Sequence, residues 1–499
     1  MGAPFAAKLV GAAASLVASI KATADAALPA AGFTSAAIDG VGGDPTARAL
    51  AGSAGVASAT AIRSLGPATR SRRTNEQAIA TRSRIIANST TAFFSAGGWN
   101  YGGPMSRAIT TTNPRRPGTS VLRMDSGATA LTSNSFRIYC KVPAVAVTDT
   151  ITVWVYLPEL SAGNATVNIY LSSDTPAADP PTARPSNYLK MSTVSGDIVY
   201  GCWTPITIHK TGKLYNQATP NGTSWVTTGT PNASEIEYIE IEYSHDASVI
   251  SAERYMVLDT VEVNGKAKPL VMLGFDGVPD ASAAVDGGAM LGKTRALFEK
   301  YGLLGYIAND GDNVASQYAE CAPLYAQGWD MISQGMGHRN YQAGPQYLSA
   351  EFDQAVAIYQ SYGFTRSLDC FAYPFNARSL ATDAVLAAKG VKHARAFRRS
   401  AMTVSSTGSH PMLAVGSYDA GQKTSAQMIA WLDDAISTGQ HMNMYTHIMR
   451  SSASTSVETT FSEYATFMAY LADKHYSGAC EVVTPSMFVG RVWNDPVLL

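Results

Sequence analysis

The stretch "LVMLGFDGVPD" at residues 270–280 decides how the second half of this chain is read. Six apolar or small residues run without a break into Asp276, and the next positions, Gly277 and Pro279, end any strand. A short continuous apolar run bounded by turn residues fits a strand buried on both faces, the kind found in parallel sheets. Working outward, "TRALFEKYG" is an amphipathic stretch and "LLGYIA" (303–308) is a second short strand. Further on come "SAEFDQAVAIYQSYG", "SLDCFAYPF", "SLATDAVLAAKG", "SAQMIAWLDDAISTG" and "HMNMYTHIM". Repeated strand–helix units predict parallel strands covered by helices, as an α/β barrel or an open sheet, from about residue 268 to 499. Functional side chains in either arrangement belong at the C-terminal ends of the strands.

Those ends carry Asp276, then Gln334 and His338 after "WDMIS", Tyr373 and Pro374 after "CFA", and His447 after "MNMYT". A carboxylate and two histidines are the ingredients of general acid–base hydrolysis. A single Asp at a strand end is an ordinary helix cap, and a single His is an ordinary core residue. Their occurrence at successive strand ends is what makes them candidates.

Over residues 268–491 the chain resembles the polysaccharide deacetylases of carbohydrate esterase family 4. "LVMLGFDGVPD" is similar to that family's strand ending in Phe-Asp-Asp-Gly. "AQGWDMISQGMGH" aligns without a gap on its histidine-bearing segment, "FAYPFNARS" on its third motif, and "MNMYTHIM" on the strand of its last catalytic histidine. The resemblance implies a distorted (β/α) barrel in which Asp276 is the general base and His447 the acid. Tyr373, Pro374, Gln334 and His338 would then line the cleft. It also implies a zinc-type divalent metal, but Gly277 stands where the family has the metal-binding Asp, and Gln334 where it has the first metal-binding His. His338 is the ligand left, and an amide oxygen is a poor ligand for a borderline metal. Asp280 is a replacement within reach in sequence. Three outcomes stay open: hydrolysis without a tightly held metal, a metal held by other ligands, or an inert site that grips a glycan.

Residues 92–267 have a different texture. "SFRIYCKV" (135–142), "TITVWVYL" (150–157), "ATVNIYL" (165–171), "TPITIHK" (204–210), "EIEYIEIEY" (235–243) and "MVLDTVEV" (256–263) alternate with period two between loops rich in Pro, Gly, Asn and Asp. They predict a β-sandwich, carbohydrate-binding-like in character. Trp154, Trp203, Tyr215 and Trp225 serve either as core residues or as a sugar platform.

Residues 1–91 are dominated by Ala, Gly and Ser, with a basic cluster "RSRRTNEQAIATRSR" at 70–84. Alanine side chains bury too little area for an independent core, so this segment is expected to fold against partner chains, with a flexible leader as the alternative. "LVGAAASLVASI" (9–20) reads as an Ala-rich helix or as a weakly hydrophobic signal-peptide core.

The chain has 499 residues, which argues for more than one domain, and 37 basic against 38 acidic residues. With no long basic tract, a nucleic-acid partner is not expected. No apolar run reaches the roughly 18–20 residues of a membrane span. The five cysteines are scattered without a CxxC pair and are read as buried thiols. Composition and order of parts together suggest a multidomain phage tail fibre or tailspike. Such a protein would be a homotrimer joined to other virion tail proteins and directed at host surface polysaccharide. A secreted bacterial deacetylase and a non-catalytic glycan receptor-binding protein are the alternatives.

Overall fold

A computed structural model describes residues 79–81, 84–88, 94–95, 106–110, 120–125, 135–147, 150–161, 163–174, 184–192, 200–201, 203–209, 214–216, 219–223, 226–246, 248–249, 251–263, 266–278, 284–285, 288–396, 412–415 and 417–494. The Ala-rich region up to residue 78, Asp280, Cys202 and Trp225 lie outside them.

The alternating segments form two antiparallel sheets. In one, the central strands are Trp203–His209, Thr150–Tyr156, Tyr255–Val263 and Val121–Asp125. In the other they are Tyr188–Ser192, Ala165–Ser172, Ile236–His245 and Ser135–Val145. Period two sends Val153 and Val155, Leu258, Ile138 and Cys140, Val167 and Ile169, and Ile239 and Ile241 into one shared core. Arg84–Asn88 pairs with Tyr255–Val263, so the first sheet reaches back past the expected boundary at residue 91. That strand escaped the sequence reading because "RIIAN" is too short to show alternation.

The second half is a parallel sheet wrapped by helices. Its strands are β1 (Leu270–Asp276), β2 (Tyr306–Asn309), β3 (Asp330–Ser333), β4 (Cys370–Ala372), β5 (His393–Arg395), β6 (Met412–Val415), β7 (Tyr418–Asp419), β8 (Met442–Thr446) and β9 (Glu481–Val482). They lie in the order β6-β5-β4-β3-β2-β1-β8-β7, with β9 beside the start of β1. The strands wind steadily outward from β1 to β6 and return through β8 and β7, an incomplete (β/α) barrel.

The helices used below are α1 (Met290–Tyr301), α2 (Pro345–Ser361), α3 (Leu380–Ala388), α4 (Ser425–Thr438), α5 (Phe461–Tyr476) and α6 (Pro485–Asn494). α4 begins at a Thr424–Gln427 capping box and stops at Gly439, whose φ of 65° suits a residue without a Cβ.

Parity along β1 sorts its side chains. Val271, Leu273 and Phe275 face outward onto Phe298, Trp431, Tyr464 and Phe467 from the covering helices and onto Trp329 just before β3. Leu270 and Met272 face inward with Tyr306, Ala308 and Ile332, and α6 closes that lower end with Phe488 and Val489. Gly274 and Asp276 share the inward face by the same alternation. A side chain at 274 would collide with the ring of Tyr306, so glycine there lets Tyr306 cross the barrel and donate its hydroxyl to Asn443 at 2.9 Å.

Candidate active site

The inward parity that runs up β1 ends on Asp276, and parallel strands bring partners to it at the same height. From β8, Asn443 and Tyr445 precede His447; from β5, His393 precedes Arg395. Asp276 Oδ1 lies 2.5 Å from Arg395 Nη2, and its Oδ2 lies 3.5 Å from His447 Nε2. The carboxylate is therefore shared between a buried cation and a histidine one-third exposed at the barrel mouth.

Arg395 is 1% exposed, with its guanidinium 4.1 Å from the centre of the Tyr445 ring. Burial opposes its charge, but Asp276, Tyr306 and Tyr445 outweigh burial and raise its pKa. Asp419, at the end of β7, accepts the backbone N–H of Gly421 at 2.8 Å. Burial pushes its carboxyl above the usual range, while that N–H and the charges of His447 and Arg395 oppose the rise.

A second pair stands beside the first. His338 Nδ1 lies 3.2 Å from Asp310 Oδ1. Asp310 directly follows β2 and has the inward parity of Tyr306 and Ala308. The hydrogen bond to Asp310 raises the pKa of His338 against partial burial, and the charge of Asp276 adds to the rise. The His338 ring meets the Phe375 ring edge-on at 4.7 Å. His338, Phe375 and Asn376 all have φ between 52° and 55°, a left-handed backbone that non-glycine residues adopt at a cost. Phe375 is nonetheless 67% exposed.

The structure thus brings Asp276 and His447 together, with His338 at the same mouth. Gln334 is buried at the end of β3, its N–H donated to the Asn309 carbonyl. Tyr373 and Pro374 are buried as well, and the Tyr373 hydroxyl donates to Asp383 at 2.7 Å. Gly277 has a φ of 80°, and among the described residues nothing lies within 4 Å of where its Cβ would be. Trp203 is buried and Trp154 half-buried between the two halves of the chain. Cys140, Cys321, Cys370 and Cys480 are free and buried.

These residues do not fit a zinc-type metal. Among the described residues no three His, Cys, Asp or Glu side chains converge as a metal site. His338 gives one ring nitrogen to Asp310, Gly277 has no side chain to offer, and Gln334 supplies only an amide.

Arg395, Asp419 and Asp310 were missed from sequence. "HAR" and "YD" are too short and polar to register as strands, and Asp310 lies beyond the apolar run of β2. The available signal was parity: each stands two or four residues beyond an inward-facing neighbour, or at a strand end.

No family model matches the chain, and no curated protein matches its sequence. Solved structures are similar to part of it. A peptidoglycan N-acetylglucosamine deacetylase is 10% identical over 44% of this chain and 87% of its own, with a TM-score of 0.32. A family 4 acetyl xylan esterase from Clostridium thermocellum, solved with a cobalt ion, is 15% identical over 46% and 93%, with a TM-score of 0.31. A carbohydrate esterase family 4 pseudoenzyme from Bacillus anthracis is 8% identical over 45% and 66%, also at 0.31. Scores this low carry no inference about chemistry.

Proposed function

We propose that residues 268–494 hydrolyse an acetyl ester or amide on a surface polysaccharide, and that they do so without a tightly held metal. One observation carries this reading: Asp276 is held between Arg395 and His447 at the open end of the barrel. Asp276 takes a proton from the attacking water as the water oxygen bonds to the acyl carbon. His447 then gives a proton to the leaving oxygen or nitrogen as the acyl bond breaks. Arg395 fixes the carboxylate's orientation and leaves the second oxygen toward His447. His338, whose positive form Asp310 favours, faces the same mouth and suits the oxyanion that forms between these steps. The test is acetate release from acetylated bacterial surface polysaccharides by the purified chain, with Asp276→Asn and His447→Ala beside it.

The missing donors at Gly277 and Gln334 favour a second reading, in which the same mouth grips a glycan and catalyses nothing. Binding of a polysaccharide with no acetate released separates the two. The setting on a viral tail, with a homotrimer joined to other tail proteins, rests on the composition of residues 1–91. A secreted protein is its alternative.

A further inference from the structure

We propose that the antiparallel sandwich is a working part of this site, because Arg378 ties the loop bearing Phe375 and Asn376 to the sandwich strand Trp203–His209. The loop runs from Tyr373 to Ser379, between β4 and α3. Its backbone has little intrinsic reason to hold its shape, since two consecutive non-glycine residues, Phe375 and Asn376, are left-handed. Neighbouring contacts must impose that shape.

Arg378 is 3% exposed. Its Nε donates to Asp383 Oδ1 at 2.8 Å and its Nη2 pairs with Asp383 Oδ2, while the Tyr373 hydroxyl donates to the same carboxylate. Both ends of the loop are thereby gathered onto one residue of α3. The other terminal nitrogen of the fork crosses to the sandwich, where Arg378 Nη1 donates to the Trp203 carbonyl at 3.4 Å. Two further contacts support the crossing. Leu380, the first residue of α3, packs on the cluster of Val121, Trp203 and Val257. Gln342 Nε2, in the loop that carries His338, donates to Glu159 Oε1 at 3.1 Å.

The far side of the loop reaches the reacting groups. Asn376 lies near enough to the Tyr445 hydroxyl to act on its ionisation, and the Tyr445 ring lies against Arg395, the partner of Asp276. Phe375 meets His338. Arg378 is thus a positioning residue that acts through the loop and touches no substrate.

This inference rests on the proposed site, but its test does not need the proposed reaction. Amide hydrogen exchange is followed in the full chain for wild type, Arg378→Gln and Leu380→Ala. Leu380→Ala leaves the Arg378–Asp383 pair intact and guards against a variant that fails to fold. The amides of Asn376 and Ala377, bonded to the carbonyls of Tyr373 and Pro374, report on the loop. Those of Leu270–Asp276 report on the barrel. Exchange at Asn376 and Ala377 is expected to rise at least ~10-fold in both variants, with β1 unchanged. Unchanged loop exchange in both, or an equal rise in β1, overturns the proposal. Where wild type releases acetate, both variants lower kcat with little change in KM. Wild type that releases none defeats the proposed reaction, while the exchange result still decides the positioning role.

Discussion

Asp276 and Arg395 meet at 2.5 Å on the inward face of the barrel, and the guanidinium is buried while the carboxylate reaches the mouth. An ion pair in this position costs desolvation on both sides, and removing one partner leaves the other buried and uncompensated. Arg395→Met is therefore expected to destabilise the chain by about 3–5 kcal/mol. The double change Arg395→Met with Asp276→Asn should recover part of that loss. Urea denaturation of the two variants and wild type measures it; equal loss in the single and double variants would show that packing, not charge, dominates.

The histidine beside Asp310 gives a pH dependence of definite sign. Asp310 raises the pKa of His338 above the ordinary 6.5, so the stabilisation is complete below about 6.5 and fades as pH rises through the raised value. Asp310→Asn should flatten this part of the stability–pH profile. A slope above pH 6.5 identical in wild type and Asp310→Asn would remove the pair from the account.

Two buried histidines, His393 and His441, and the half-buried His475 work in the opposite direction. Burial lowers His393 and His441 to about 3 and His475 to about 4. His441 Nδ1 accepts the N–H of Leu270 at 3.0 Å, which requires the neutral ring. The unfolded chain binds these protons near pH 6.5 and the folded chain does not, so stability is lost as pH falls from about 6.5 toward 3–4. Among the described residues His393 has no hydrogen-bond partner on either ring nitrogen. His393→Leu should reduce the acid slope at little cost in stability at pH 8, measured by denaturant titration at several pH values.

How far the sequence reached depended on run length. β1 was legible because six residues in a row are apolar or small and run into a carboxylate. The six long sandwich strands were legible because period two persists over seven residues or more in each. Asp276 and His447 followed from reading strand ends. Arg395, Asp310 and Asp419 did not, because β5 and β7 are held by neighbouring strands and not by their own apolar content. Tyr373 was legible as a strand-end residue, but its partner Asp383 belongs to the next helix, and no spacing rule joins a tyrosine to that carboxylate.

The donor set makes a prediction about metal. Purified protein should hold well under one zinc per chain after dialysis. Gly277→Asp with Gln334→His should raise zinc affinity, since a Cβ at 277 meets no atom of the described residues within 4 Å, although its φ of 80° will limit the gain. Stoichiometric zinc in the wild type would mean that ligands outside those named here complete a site.

Acetate release from an acetylated surface polysaccharide, compared between wild type, Asp276→Asn and His447→Ala, tests the central claim most directly. Each substitution is expected to lower the rate by about 10²–10⁴-fold while polysaccharide binding is retained. Wild type that binds the polysaccharide but releases no acetate, or variants that release it as fast as wild type, would contradict the claim that Asp276 and His447 carry the reaction.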